Sequence, residues 1–332
     1  MTATFTRRAI LAVTAAATLA VSTGASLADG KTQLRLSSVN SETDQRAIAL
    51  VEKFGPAISE FATFEPHWNG TLFKQGTELE AIARGNLEMA ITSAQELAEF
   101  FPEFSIFSAG YVHQSAEHQV RVFNAPLMDA FKQKVEDELG IKLLAVMYLG
   151  KRQLNLKGDK AVSAPADLAG VKLRMPGSEA WQFLGRALGA APVPVAFTEL
   201  YTSLQTGAVD GQDNPLPTVV DAKFYEVTNQ IILTSHLVDL NYIAISKAAF
   251  DAMTPEQQAT VTKAAEDAAE FGRQNQLKKE GELQAFLEEK GIKFSTPDVA
   301  AFRTKVQADY LASDYAASWP EGVLDQINAL GD

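Results

Sequence analysis

The residues in this chain best suited to chemistry are one arginine and the aromatic and amide groups downstream of it. Arg174 stands in Val171-Lys172-Leu173-Arg174-Met175-Pro176, where apolar and basic residues alternate. That alternation sends Arg174 to the face opposite Val171, Leu173 and Met175, and Pro176 stops the strand. A guanidinium matches a carboxylate through two parallel hydrogen bonds, whereas a lysine offers only a point charge. Phe197 and Asn214 lie 23 and 40 residues further on. Phe197 can wall a carbon skeleton, and Asn214, held extended before Pro215, can both donate and accept. Taken singly, the ordinary readings are a surface ion pair for Arg174, a core position for Phe197 and a turn for Asn214. Taken together, they suit a pocket for a small anion.

Further candidates lie where strands end, which is where open α/β sheets hold ligands. They are Asn40 in Val39-Asn40-Ser41-Glu42, Trp68 and Asn69 in Trp68-Asn69-Gly70, and Ser93 after Thr92. Asp213 adjoins Asn214 and is expected to orient neighbours such as arginine. His236 precedes a strand at Asn241 and is expected near the same cleft. Of the histidines, only His113 and His118 approach metal spacing, so no metal is expected. A Gly-x-Ser-x-Gly turn, a metal-spaced His/Glu set and a phosphate-cradling glycine loop are all lacking, which points to neither an enzyme nor a bound cofactor.

The elements that must position these residues alternate between strand and helix. Strands are predicted over 33–38, 63–67, 89–92, 141–149, 153–156, 172–175 and 241–246, with helices over 43–58, 77–84, 116–138, 178–187 and 197–206. Such alternation implies parallel βαβ units. The nearly all-apolar Ile141 to Leu149 reads as a central strand covered on both faces, and Gly150-Lys151-Arg152 as a crossing between domains. A helical run opens with Thr254 as N-cap, Pro255 and Glu256, and can continue to Lys290 before Gly291. The residues alone equally allow two helices broken near Gly272.

Residues 1–28 form an export signal, with basic Arg7 and Arg8, an apolar core from Ile10 to Val21 and a Ser26-Leu27-Ala28 cleavage site. The Arg pair leaves the general secretory and twin-arginine routes both open. About 300 of the 332 residues remain, enough for two domains with a 46% hydrophobic composition. No later run of eighteen apolar residues suggests a membrane span. With no cysteine there is no disulfide framework, and the net charge of -12 excludes a nucleic-acid partner. That acidic field also opposes an anionic ligand, so local geometry at Arg174 must decide.

The stretch Lys172-Leu173-Arg174-Met175-Pro176, Ala196-Phe197-Thr198-Glu199-Leu200-Tyr201, Gln205-Thr206-Gly207-Ala208-Val209-Asp210-Gly211 and Asp213-Asn214-Pro215 resembles the solute-binding proteins of tripartite ATP-independent periplasmic (TRAP) transporters. Weaker similarity runs from about Leu34 to the C-terminal helices. The resemblance implies a two-lobed α/β binding protein with a mixed, mostly parallel sheet in each lobe and a long hinge-side helix. It implies lobes of 29–151 plus 240–279 and 152–239 plus 280–332. It implies a monomeric periplasmic receptor, its signal cleaved near Ala28, that closes on a small organic acid and hands it to a TRAP membrane permease. Arg152 matches a family arginine that supplies a second contact to the ligand or closed state; a plain salt bridge is the equal alternative. Where this chain has Trp68-Asn69-Gly70-Thr71-Leu72-Phe73, members commonly carry a Pro-Gly-type turn before Leu-Gly, which leaves ligand identity open among dicarboxylates, sugar acids, hydroxy or keto acids and sulfonates. Members with a metal carry tryptophan at the position of Asn214. A periplasmic enzyme acting on an organic acid and the binding component of a sensor system are the alternative readings.

Overall fold

Two long strands carry the architecture. The computed structural model describes residues 31–331, so the export signal expected over 1–28 lies outside the described residues. Strand β4 (Ile141–Leu156) runs antiparallel to β8 (Gln230–Ser246), from Ile141 opposite Ser246 to Leu156 opposite Gln230. At one end of this ribbon lie β1 (Thr32–Ser37), β2 (Ala62–His67) and β3 (Met89–Ser93). At the other lie β5 (Lys172–Met175), β6 (Ala191–Pro194) and β7 (Gly211–Asn214). The strand order is β2-β1-β3-β8-β4-β7-β5-β6, with β9 (Lys293–Ser295) added to β8. Pairs within each end are parallel, those joining each end to the ribbon are antiparallel, and β9 lies parallel to β8. The fold is therefore mixed α/β, its two halves built on one hydrogen-bonded sheet.

The ribbon departs from the expected strands in an informative way. The two segments expected over 141–149 and 153–156 are one strand, because register shifts at Leu143/Ala145, Tyr148/Gly150 and Arg152/Leu154 bend it without ending it. The segment expected from Asn241 extends back to Gln230, since Thr234 and His236 are buried and hydrogen-bonded, which hides the strand behind polar residue types. Edge strand β6 carries two prolines, tolerable where no ladder bond is needed on the outer side.

Helices show the same mixture. The single helix expected over 116–138 is two, Ala116–Asn124 and Leu127–Leu139. Pro126 lacks an N–H, and Ala125 before it is extended at φ -79, ψ 152. The long helix Pro255–Glu289 is continuous, capped by Thr254 and Gln257 in a reciprocal pair. Gly272 is a point of close approach: a Cβ there would lie 3.2 Å from Ala49 Cβ and 3.5 Å from the Gln45 carbonyl. Val261, Ala265 and Ala268 of this helix join the core of Leu34, Leu50 and Phe54, while Leu283, Phe286 and Leu287 pack with Leu204, Val219 and Phe224. One rigid rod thus contributes to the cores of both halves.

The rod also grips the ribbon where it bends. Glu280 accepts hydrogen bonds from the Lys151 N–H and the Tyr148 hydroxyl, both at 2.6 Å, and Gln276 donates to the Leu149 carbonyl. Between these anchors Gly150 sits at φ 133, and a Cβ would fall 2.6 Å from Glu280 Oε1 and 2.6 Å from Pro215 Cβ. Gly150→Ala is expected to lower stability by roughly 2–4 kcal/mol, from backbone strain plus overlap. Urea denaturation checks this; an unchanged midpoint would show that the bend tolerates a side chain.

Candidate ligand-binding site

A cavity of about 70 Å³ lies between the two halves. Its walls include Ser38, Asn40, Arg46, Ser93 and Glu96 from the β1–β3 end, and Arg174, Trp181, Phe197, Asn214 and Thr218 from the β5–β7 end. Arg152, Asp239 and Asn241 enter from the ribbon.

Arg174 is buried to 1% exposure. Its Nε donates to the Val195 carbonyl at 2.8 Å, and the Gln75 amide oxygen lies 3.4 Å from Nη2. Among the described residues no carboxylate comes within ion-pair distance of it. Burial, reinforced by repulsion from Arg152, pulls its pKa down to about 9. Because Val195 takes the Nε–H, the Nη1/Nη2 end of the guanidinium is what remains to grip a ligand. Phe197 lies beside it, ring centroid 5.9 Å from Cζ, and packs edge-on against Phe224.

Arg152 is equally buried but fully engaged. It donates to Asp213 Oδ2 at 2.7 Å and Asp239 Oδ2 at 2.8 Å, and its Nη2 also reaches the Asp213 carbonyl at 2.6 Å. Its Cζ stacks 4.5 Å from the Trp181 ring. His236 Nε2 lies 3.0 Å from Asp213 Oδ2, and His236 Nδ1 pairs with Thr234. Burial alone would raise Asp213, but Arg152 and the His236 bond override it and hold the carboxyl well below the usual range. Asp239 goes the other way: burial raises it more than Arg152 lowers it. The result is a rigid ionic floor, in which one paired arginine repels the unpaired one.

Asn214 is aimed by a chain of buried amides. The Phe224 carbonyl accepts from the Thr228 hydroxyl at 2.7 Å, so Thr228 Oγ1 accepts from Asn155 Nδ2 at 2.8 Å. Asn155 Oδ1 then accepts from Gln212 Nε2 at 3.0 Å, and Gln212 Oε1 from Asn214 Nδ2 at 2.6 Å. This ordering leaves Asn214 Oδ1 as an acceptor for the cavity. On the facing wall, Asn40 is held by Ser38 and the Ser41 carbonyl, and Ser93 caps helix Ala94–Leu97 in a reciprocal bond with Glu96.

Of the residues expected at the site, Arg174, Arg152, Phe197, Asn214, Asn40 and Ser93 are brought together around this cavity. Trp68, Asn69, Asp213 and His236 are not among its lining residues. Asp213 and His236 lie in the layer that holds Arg152. Trp68 packs against the core of the β1–β3 end, and Asn69, at φ 57, donates its N–H to the Asn40 carbonyl at 3.0 Å. Sequence reasoning missed Arg46, Gln75, Glu96, Trp181, Asp239 and Asn241. Asp239 and Asn241 left a usable signal, being charged or polar positions inside an otherwise apolar run from Leu237 to Ile245.

A profile described as "Bacterial extracellular solute-binding protein, family 7" matches residues 36–315. The chain belongs to this family. A family-7 relative from Roseobacter denitrificans, a TRAP periplasmic solute-binding protein solved with 3-deoxy-D-manno-oct-2-ulosonic acid, is 68% identical, with a TM-score of 0.90 over 91% of this chain and 100% of that one. A second from the same species, solved with L-galactonate, is 29% identical with a TM-score of 0.81, covering 90% and 98%. The sialic acid-binding periplasmic protein SiaP of Vibrio cholerae is 28% identical over 71% of this chain and 73% of its own length. The chain is thus a solute-binding receptor and not an enzyme, with the two-lobed α/β fold of its relatives. Its family is periplasmic and serves TRAP transporters. Among the described residues no helix is long and apolar enough to cross a membrane, and no group of three or more His, Asp or Glu could hold a metal.

Acids beside the cavity make stability depend on pH. Burial, then repulsion from Glu96, pushes Glu78 up to about 8, and burial raises Glu96 as well. A carboxyl that keeps its proton when folded but loses it when unfolded makes the folded state less favourable as pH rises between the two values. The depressed Asp44 and Asp213 act only at lower pH. Burial pulls His113 down to about 3, and this acts the other way but only below its ordinary value of 6.5, so the melting temperature is expected to fall from about pH 6.5 to pH 8, and Glu78→Gln to flatten that fall. An unaltered slope in the variant would remove Glu78 as its source.

Proposed function

We propose that this receptor takes a polyhydroxylated sugar acid, of the 3-deoxy-2-ulosonic type, and delivers it to a TRAP membrane permease. The observation that carries the reading is a buried guanidinium with no carboxylate partner among the described residues, facing a cavity walled by both halves. A ligand acid group supplies the missing charge at the Nη1/Nη2 end. Asn214 Oδ1 and Thr218 Oγ1, the latter buried without a partner among the described residues, suit ligand hydroxyls. Likeness to the relative solved with 3-deoxy-D-manno-oct-2-ulosonic acid supports this class over dicarboxylates and sulfonates. Arg152, tied to two aspartates, acts mainly as the floor that fixes Asp239 and Trp181.

The moving bodies in this proposal are lobes of 29–151 plus 240–279 and 152–239 plus 280–332. The terminal segment touches both: Trp319 Nε1 donates to Ser105 Oγ at 2.8 Å, and the Tyr315 ring packs edge-on against Phe183, centroids 5.4 Å apart. Closure bends the β4/β8 ribbon, and the ligand favours the closed form by touching both lobes at once. The receptor acts as a monomer in the periplasm after cleavage near Ala28.

Calorimetry with 3-deoxy-D-manno-oct-2-ulosonic acid, L-galactonate and a dicarboxylate tests the class. Binding is expected for the sugar acids with no chemical change in them, and a preference for the dicarboxylate would overturn it. Arg174→Ala is expected to weaken sugar-acid binding by about 2–5 kcal/mol, the range for removing one partner of a buried charge pair. Arg174→Lys also binds poorly because the fork is lost. Undiminished affinity in both variants would take Arg174 out of the site.

A further inference from the structure

Gln75 lies on the loop between β2 and helix Glu78–Ala83, in the first half of the molecule. Its Oε1 accepts from the Phe197 N–H at 2.8 Å and lies 3.4 Å from Arg174 Nη2, both in the second half. Among the described residues it is the only side-chain oxygen within hydrogen-bond range of Arg174. Phe197 N and Arg174 Nη2 are donors only, so the amide oxygen must face them and the amide nitrogen must face away. That nitrogen has no hydrogen-bond partner among the described residues, and Gln75 lines the cavity.

We infer that Gln75 is a specificity-determining residue of the site, which clasps the second lobe through its oxygen and offers its two N–H donors to a ligand oxygen next to the acid group on Arg174. The inference rests on the proposed role of Arg174. The chemistry follows from the side chain's neutrality. An amide oxygen can touch a buried guanidinium without cancelling its charge, so the clasp holds the lobes and still leaves the cation to be neutralised by ligand. A carboxylate at the same position would neutralise Arg174 from within the protein, and it would present no donor. The favoured ligand therefore carries an oxygen, as keto or hydroxyl, on the carbon beside its carboxylate.

The test uses the whole mature protein and 3-deoxy-D-manno-oct-2-ulosonic acid as probe, in calorimetry, stopped-flow release and ligand-free thermal unfolding. Gln75→Glu is expected to weaken binding at least about tenfold while raising the ligand-free melting temperature by about 2–4 °C, because the new carboxylate pairs with Arg174. Gln75→Ala, which cannot form that pair, is expected to weaken binding about three- to tenfold, chiefly through faster release, with little change in ligand-free melting. Wild-type affinity in Gln75→Glu overturns the inference, as does a loss of affinity accompanied by a lower melting temperature. Arg174→Ala run alongside separates the two readings. If it loses binding while both Gln75 variants keep theirs, only the role of Gln75 fails; if it too binds normally, the role of Arg174 fails with it.

Discussion

The site depends on one uncompensated charge. Removing a guanidinium from water is expensive, and the usual remedy is a carboxylate partner. Arg152 receives that remedy twice over, from Asp213 and Asp239, and Arg174, among the described residues, not at all. The contrast between two buried arginines sharing one cavity separates structure from function. Arg152 stiffens the floor, and its charge adds to the burial that pulls Arg174 down to about 9. An Arg174 without a counter-charge is therefore electrostatically unfavourable, and in the proposed function an acid group would relieve it. An acidic protein of net charge -12 can attract an anion in this way because the relevant field is set within a few ångströms and at low effective dielectric.

Holding such a charge without a partner requires a scaffold that neither rearranges nor lets water in. The β4/β8 ribbon ties the two halves into one sheet, so the carboxyl ends of β1, β3, β5 and β7 converge on one cleft. The helix Pro255–Glu289 spans both cores and pins the ribbon on either side of Gly150. Two of the ribbon's three register shifts, at Tyr148/Gly150 and Arg152/Leu154, adjoin Leu149 and Arg152, which themselves face the cavity. In the proposed closure, binding and bending share residues, which would let a ligand of modest size select the closed form.

The second half of the site was legible in the sequence because its positions are dictated locally. Alternation and Pro176 orient Arg174, and Pro215 extends Asn214. The first half was legible only as strand ends. Asn40 and Ser93 were named because ligands gather there, but so were Trp68 and Asn69, which instead shape the loop beneath Asn40. Arg46, Gln75 and Glu96 come to the cavity through tertiary folding, and no local pattern marks them. The fold shows the same division. Strands with clean apolar patterns were found close to their true limits, whereas the buried polar part of β8, the proline-rich β6 and the break at Pro126 depended on pairing or on backbone chemistry that hydrophobic period does not report. The long helix was ambiguous at Gly272 until its packing partner, Ala49, was known.

The central claim is that the ligand's acid group completes Arg174. A crystal structure of the mature protein with 3-deoxy-D-manno-oct-2-ulosonic acid tests it most directly. The account predicts the carboxylate against the Nη1 and Nη2 atoms of Arg174, with Nε still on the Val195 carbonyl and Arg152 still held by Asp213 and Asp239. A carboxylate bound elsewhere, with Arg174 turned to a protein carboxylate, would contradict it.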